Sequence, residues 1–124
     1  MRVYYLQHVS FEDAGSIALW ARTRGHKVTR TRLYRNETLP SQGSFDWLVV
    51  MGGPMHIHEH EAHPWLVPEK AFIRETINRG IPYLGVCLGA QLAADVLGGR
   101  VARNPQMEVG WFPVHLTAQA EHSL

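Results

Sequence analysis

The run Gly85-Val86-Cys87-Leu88-Gly89-Ala90-Gln91 constrains this chain more than any other stretch. Before it, Pro82 to Val86 is short and apolar, a strand pattern. After it, Leu88, Leu92 and Val96 recur at i, i+4 and i+8, the inner stripe of a helix stopped by Gly98-Gly99. A cysteine with glycines two residues before and two after, at a strand-to-helix junction, has the G-x-nucleophile-x-G form. Such a turn is tight, and the glycines relieve crowding against neighbouring backbone. The side chain then projects from the C-terminal edge of the sheet, where open α/β sheets bind ligands. The following helix aims its first N–H groups and positive dipole end at the sulfur, which favours negative charge there. The other reading of Cys87 is a buried core thiol that happens to end a strand.

Strand and helix patterns alternate along the rest of the chain. Val3 to Gln7 reads as a strand, Glu12 to Arg24 as a helix ended by Gly25, and Lys27 to Leu33 as a more exposed strand. In the helix, Ile17, Trp20, Ala21 and Arg24 fall at helical spacing. Asn36 to Ser44 is loop. Trp47 to Met51 is a continuous apolar run, expected of a parallel strand covered on both faces. Trp65 to Arg79 is helical, with Leu66, Ile73 and Ile77 able to share a face. Arg100 to Arg103 and Trp111 to Thr117 are two further strand candidates. The alternation predicts a doubly wound parallel sheet.

Length and composition exclude several classes. At 124 residues the chain is one domain at most, and 45% hydrophobic with 19% charged residues is a globular composition. A net charge of +1 with scattered Lys and Arg lacks the basic stripe of a nucleic-acid binder. No apolar run approaches the ~20 residues of a membrane span, and the first residues carry no signal-peptide pattern. One cysteine forms no intrachain disulfide, which suits a reducing, cytoplasmic compartment. The chain stops at Leu124 soon after a strand candidate and without a closing helix, so we expect an incomplete domain. An open sheet edge of that kind predicts self-association, with a homo-oligomer as one outcome.

Two features favour a nucleophilic Cys87. Gly52-Gly53-Pro54 ends the apolar run expected to lie beside the Cys87 strand. A glycine there lets a backbone N–H approach a substrate oxygen and, with the N–H of Leu88, form an oxyanion hole. Gln91 lies one helical turn after Cys87 and faces the same pocket, where its amide can donate and accept.

Met51-Gly52-Gly53-Pro54, the Gly85 to Leu92 elbow and Glu108-Val109-Gly110-Trp111 together resemble class I (triad) glutamine amidotransferases, in particular the stand-alone, GMP-synthase-like branch. Pro64-Trp65-Leu66 and Leu97-Gly98-Gly99 are similar to that branch too, so the likeness spans residues 1–124. It implies a flavodoxin-like three-layer α/β fold and hydrolysis of the glutamine side-chain amide through a cysteinyl thioester, with no cofactor. Cys87 would be the nucleophile, the N–H groups of Gly53 and Leu88 the oxyanion hole, and Gly52 and Gln91 substrate-binding residues. The partners implied are L-glutamine or a γ-glutamyl compound and a synthetase that receives the ammonia. The family's base is a His supported by a Glu two residues later, and no His-x-Glu occurs in this sequence. After Cys87 there are only His115 and His122. We therefore expect these 124 residues to be nearly inactive alone. A γ-glutamyl peptidase, a related cysteine hydrolase and a non-catalytic glutamine-binding subunit are the competing readings.

His56, His58, His60 and His63, with Glu59 and Glu61, could supply imidazoles to a transition metal. A solvated loop beside the active site is the alternative that we favour, so no metal is expected. Trp20, Trp47, Trp65 and Trp111 read as packing residues. Arg22, Arg24, Arg30, Arg32 and Arg35 read as a solvated basic face.

Overall fold

The computed structural model describes residues 1–121. Four parallel strands form one sheet in the order β2-β1-β3-β4: β1 Arg2–Gln7, β2 Lys27–Arg32, β3 Trp47–Val50 and β4 Tyr83–Gly85. The register sets Leu6 against Thr31 on one side and Val50 on the other, and Val50 against Gly85. The chain leaves β1 in one direction and returns through β3 on its other side, so the strand order reverses between β1 and β3. That is the flavodoxin-like switch point, and the crevice it opens lies at the C-terminal strand ends.

Helix α1 (Gly15–Thr23) covers one face, and α2 (Leu66–Asn78) and α3 (Leu88–Val96) cover the other. Strict period-two alternation divides the two cores. Val3, Tyr5, Val49 and Met51 pack with Ala18 and Ala21 on the α1 side. Leu6, Leu48 and Val50 pack with Leu66, Ile73, Leu88, Leu92 and Val96 on the α2/α3 side. The Leu88, Leu92, Val96 stripe is buried as its spacing predicts. Lys70 of α2 and Asp95 of α3 form an ion pair at 2.8 Å that ties the two helices.

Several boundaries differ from the sequence expectation. Helix α1 begins at Gly15, not Glu12, because the Asp13 carboxylate accepts the Gly15 N–H at 2.9 Å and the Gly15 backbone is left-handed, φ +38°. Its buried residues are Ala18 and Ala21, while Trp20 is exposed and edge-on to Trp47 at 5.9 Å. Strand β2 gives way to a 3₁₀ turn at Leu33–Arg35. Neither Arg100–Arg103 nor Trp111–Thr117 is a strand. A strand exists through its ladder, and these segments pair with nothing in the four-stranded sheet. Trp111 is accordingly fully exposed and is not a packing residue. A short helix, α4 (Ala118–Glu121), follows. Among the described residues no helix is long and apolar enough to cross a membrane.

Candidate active site

Three strand ends meet at the switch-point crevice: His8 after β1, Gly52 and Gly53 after β3, and Cys87 after β4. Cys87 is exposed and sits at φ 51°, ψ −107°, one of two non-glycine residues with positive φ among the described residues. Backbone of this kind is costly, and such residues cluster at functional sites. Close packing around the elbow holds it there. A Cβ on Gly89 would collide with the Val50 carbonyl oxygen of β3, and one on Gly85 would stand 2.5 Å from the Ala90 nitrogen. No side chain fits at either glycine, so α3 docks directly on the strands. The Tyr83 hydroxyl donates to the Gly89 carbonyl at 2.7 Å. Burial, and then the nearby Glu69 charge, push the Tyr83 pKa well up.

Gly52 faces the nucleophile. The position of a Cβ there lies 3.4 Å from the Cys87 Cβ and 2.9 Å from a Glu12 carboxylate oxygen. A Gly53 Cβ would meet the Met55 sulfur at 2.5 Å, the His8 Cβ at 3.2 Å and a Leu88 methyl at 3.4 Å. A side chain at Gly53 would therefore fill the space between the turn and Leu88. Among the described residues, neither the Gly53 N–H nor the Leu88 N–H donates a hydrogen bond. Backbone donors are almost always used inside proteins, and Leu88, first in its helix, has no intrahelical acceptor. Two backbone donors near Cys87 are thus unspent among the described residues.

Beneath the Gly52-Gly53 turn lies a buried polar pair. His8 Nδ1 donates to the Gly52 carbonyl at 2.9 Å, and His8 Nε2 faces Glu69 Oε1 of α2 at 2.8 Å. Both side chains are 0% exposed, and the Trp65 ring stacks on the imidazole at 5.3 Å. Burial opposes charge on the imidazole, but the Glu69 carboxylate, helped by the Gly52 and Met51 carbonyls, outweighs it and raises the His8 pKa. Glu69 Oε2 has no partner among the described residues. With both ring nitrogens committed, His8 is no base for Cys87.

The predicted residues therefore converge in part. Cys87, Gly52, Gly53 and Leu88 come together. Gln91 is exposed one turn into α3. The Cys87 carbonyl accepts from the Ala90 and Gln91 N–H groups, while its thiol has no hydrogen-bond partner among the described residues. His115 is exposed in the irregular segment, and His122 lies outside the described residues. In the His-rich loop the rings pack on one another, His56 with His58 at 5.1 Å and His58 with His60 at 6.4 Å between centroids. No group of three or more His, Cys, Asp or Glu side chains among the described residues is placed to hold a metal ion. In the arginine group, Arg30 donates to the Tyr5 hydroxyl at 3.0 Å, and Arg32 pairs with Glu37.

Sequence reasoning missed His8, Glu12 and Glu69. His8 and Glu12 follow β1, so their place at a C-terminal strand end was a usable signal. Glu69 falls three residues after Leu66 on the inner stripe of α2, and a carboxylate inside an apolar stripe was the second signal.

Residues 13–122 match the family model of glutamine amidotransferase class-I. The chain is similar to the putative glutamine amidotransferase-like protein YfeJ of Salmonella typhimurium, 37% identical over 121 residues, covering 94% of this chain and 51% of that protein. It is also similar to GMP synthase [glutamine-hydrolyzing] of Tolumonas auensis, 36% identical over 76 residues, covering 61% of this chain and 13% of that one. Among solved structures it superposes on a glutamine amidotransferase from Methylobacillus flagellatus with a TM-score of 0.83 at 31% identity, covering 89% of this chain and 44% of that one. A glutamine amidotransferase from Thermotoga maritima gives 0.76 at 33%, covering 79% and 43%. The chain spans about half the length, or less, of each of these relatives.

Proposed function

Because the chain belongs to the class-I glutamine amidotransferase family, we propose that its crevice is the nucleophile half of a glutamine-hydrolysing centre. The Cys87 sulfur attacks the side-chain carbonyl carbon of glutamine, and the carbonyl oxygen takes the negative charge. The Gly53 and Leu88 N–H groups receive that oxyanion, a contact worth ~3–4 kcal/mol when one donor is lost. Collapse of the intermediate breaks the C–N bond. The departing nitrogen takes up a proton, leaving ammonia and a γ-glutamyl thioester on Cys87. Water then cleaves the thioester to glutamate and restores the thiol. Gly52, with no side chain, leaves room for substrate beside the sulfur, and the Gln91 amide orients it. A synthetase is the acceptor of the ammonia.

The observation that carries this reading is the pair of unspent N–H groups, one on Leu88 next to a strained, exposed cysteine and one on Gly53, just after the Gly52 that faces it. No imidazole among the described residues reaches Cys87, so residues 1–121 supply acylation more readily than proton transfer to the leaving nitrogen. That favours slow turnover of glutamine by this chain alone. The reading is tested with a glutamine-mimicking diazoketone followed by intact-mass analysis. One adduct mapping to Cys87, formed more slowly when glutamine is present, supports it. Reaction with iodoacetamide but not with the diazoketone would leave a reactive thiol without a glutamine site.

A further inference from the structure

The buried His8–Glu69 pair has no part in the chemistry above, yet it contacts the turn on which that chemistry depends. Glu69 sits on the inner stripe of α2 among Leu66, Phe72 and Ile73, where an apolar side chain would pack at no electrostatic cost. Buried ion pairs seldom stabilise relative to such a replacement. One of the two Glu69 oxygens has no partner among the described residues, so the pair is not optimised for stability. Its cost needs another justification.

The peptide between Gly52 and Gly53 supplies one. With no Cβ on either side, that peptide plane rotates more freely than any other at the strand ends. Its C=O and N–H point in opposite directions, because the bond is trans. Fixing the Gly52 carbonyl therefore fixes the Gly53 N–H. The Gly52 oxygen is held by His8 Nδ1 at 2.9 Å. A carbonyl only accepts, so Nδ1 carries the proton. Glu69 keeps it there in either protonation arrangement. If the shared proton is on Nε2, the imidazole is doubly protonated; if it is on Glu69, Nε2 accepts and Nδ1 remains the donor. Trp65 stacked on the ring and the two hydrogen bonds, Nδ1 to Gly52 and Nε2 to Glu69, fix the orientation of the imidazole.

We infer that His8, held by Glu69, is a positioning residue that locks the Gly52–Gly53 peptide with the Gly53 N–H facing the substrate carbonyl oxygen. The inference rests on the glutamine-hydrolysis reading of the Cys87 site. It assigns a role to a pair that touches neither substrate nor sulfur.

The test uses the 124-residue chain and two reagents. An activated γ-glutamyl p-nitrophenyl ester acylates Cys87 through an oxyanion, and its leaving group needs no proton. Iodoacetamide alkylates the same sulfur by displacement at carbon, with no oxyanion. His8→Phe should lower the maximal acylation rate about 100-fold, the loss typical of one oxyanion donor, with half-saturation by the ester and alkylation by iodoacetamide changed less than about threefold. His8→Asn puts an amide N–H near the Nδ1 position and should recover most of the rate; His8→Gln, whose amide reaches toward Nε2 instead, should not. A wild-type chain that is alkylated but never acylated would overturn the glutamine reading itself. Wild-type acylation with His8→Phe equally fast would overturn the positioning role alone, as would Asn and Gln variants acylated at the same rate. If His8→Phe does not fold, the Asn and Gln pair decides.

Discussion

The elbow wall of the crevice is held by contact, with Gly89 against the Val50 carbonyl and Gly85 against the first turn of α3, whereas the facing Gly52-Gly53 wall hangs on a buried polar pair. In the proposed reaction each wall supplies one N–H to the oxyanion. Steric exclusion suffices at the elbow because a helix follows immediately and its axis fixes every N–H in the first turn. After β3 the chain enters an irregular loop, and a Gly-Gly peptide there has no axis to align it. A hydrogen bond from below replaces the missing helix. Glycine solves the problem of close approach and creates the problem of orientation.

Removing one member of the polar pair should break the turn wall most severely. Glu69→Ala leaves His8 buried without its carboxylate, which typically costs ~3–5 kcal/mol, read as a fall in thermal midpoint. The double replacement His8→Phe with Glu69→Leu should recover most of that stability while acylation of Cys87 stays slow, which separates the pair's structural cost from its positioning role. Gly89→Ala attacks the other wall. Its Cβ would run into the Val50 carbonyl group, which is backbone and cannot swing aside, so we expect ~1–3 kcal/mol of destabilisation and loss of diazoketone labelling, since α3 must lift away from β3. The two walls should also differ in pH response. The His8 pKa is raised above its ordinary 6.5, so its contribution is full below that value and is lost as pH rises through the folded-state value. Urea midpoints should fall over that range in the parent chain and not in the double variant, while Gly89→Ala should follow the parent. The smallest effect belongs outside both walls. Trp111→Ser, at a fully exposed position, should shift stability by no more than ~0.5 kcal/mol.

The elbow wall was the legible one. Strand, nucleophile and helix are consecutive in sequence, and the period of Leu88, Leu92 and Val96 reports burial directly. The apolar run at Trp47 was equally clear, since β3 is covered on both faces. The turn wall depends on residues 44 and 61 positions apart, His8 with Gly52 and His8 with Glu69, and no local pattern records such pairings. Glu69 was hidden by the rule that charges lie outside a helix stripe. The same limit explains the strand candidates after Gly99. Those two segments are not strands, because β propensity needs a neighbouring strand, and Trp111, Val114 and Leu116 remain exposed.

The most direct test of the account is a crystal structure of the chain carrying the diazoketone adduct on Cys87. The account predicts the adduct's ketone oxygen about 2.7–3.1 Å from both the Gly53 and the Leu88 nitrogens, with the Gly52 carbonyl still on His8 Nδ1. A ketone oxygen turned to solvent, or a Gly53 N–H pointing away from it, would contradict the two-walled oxyanion site.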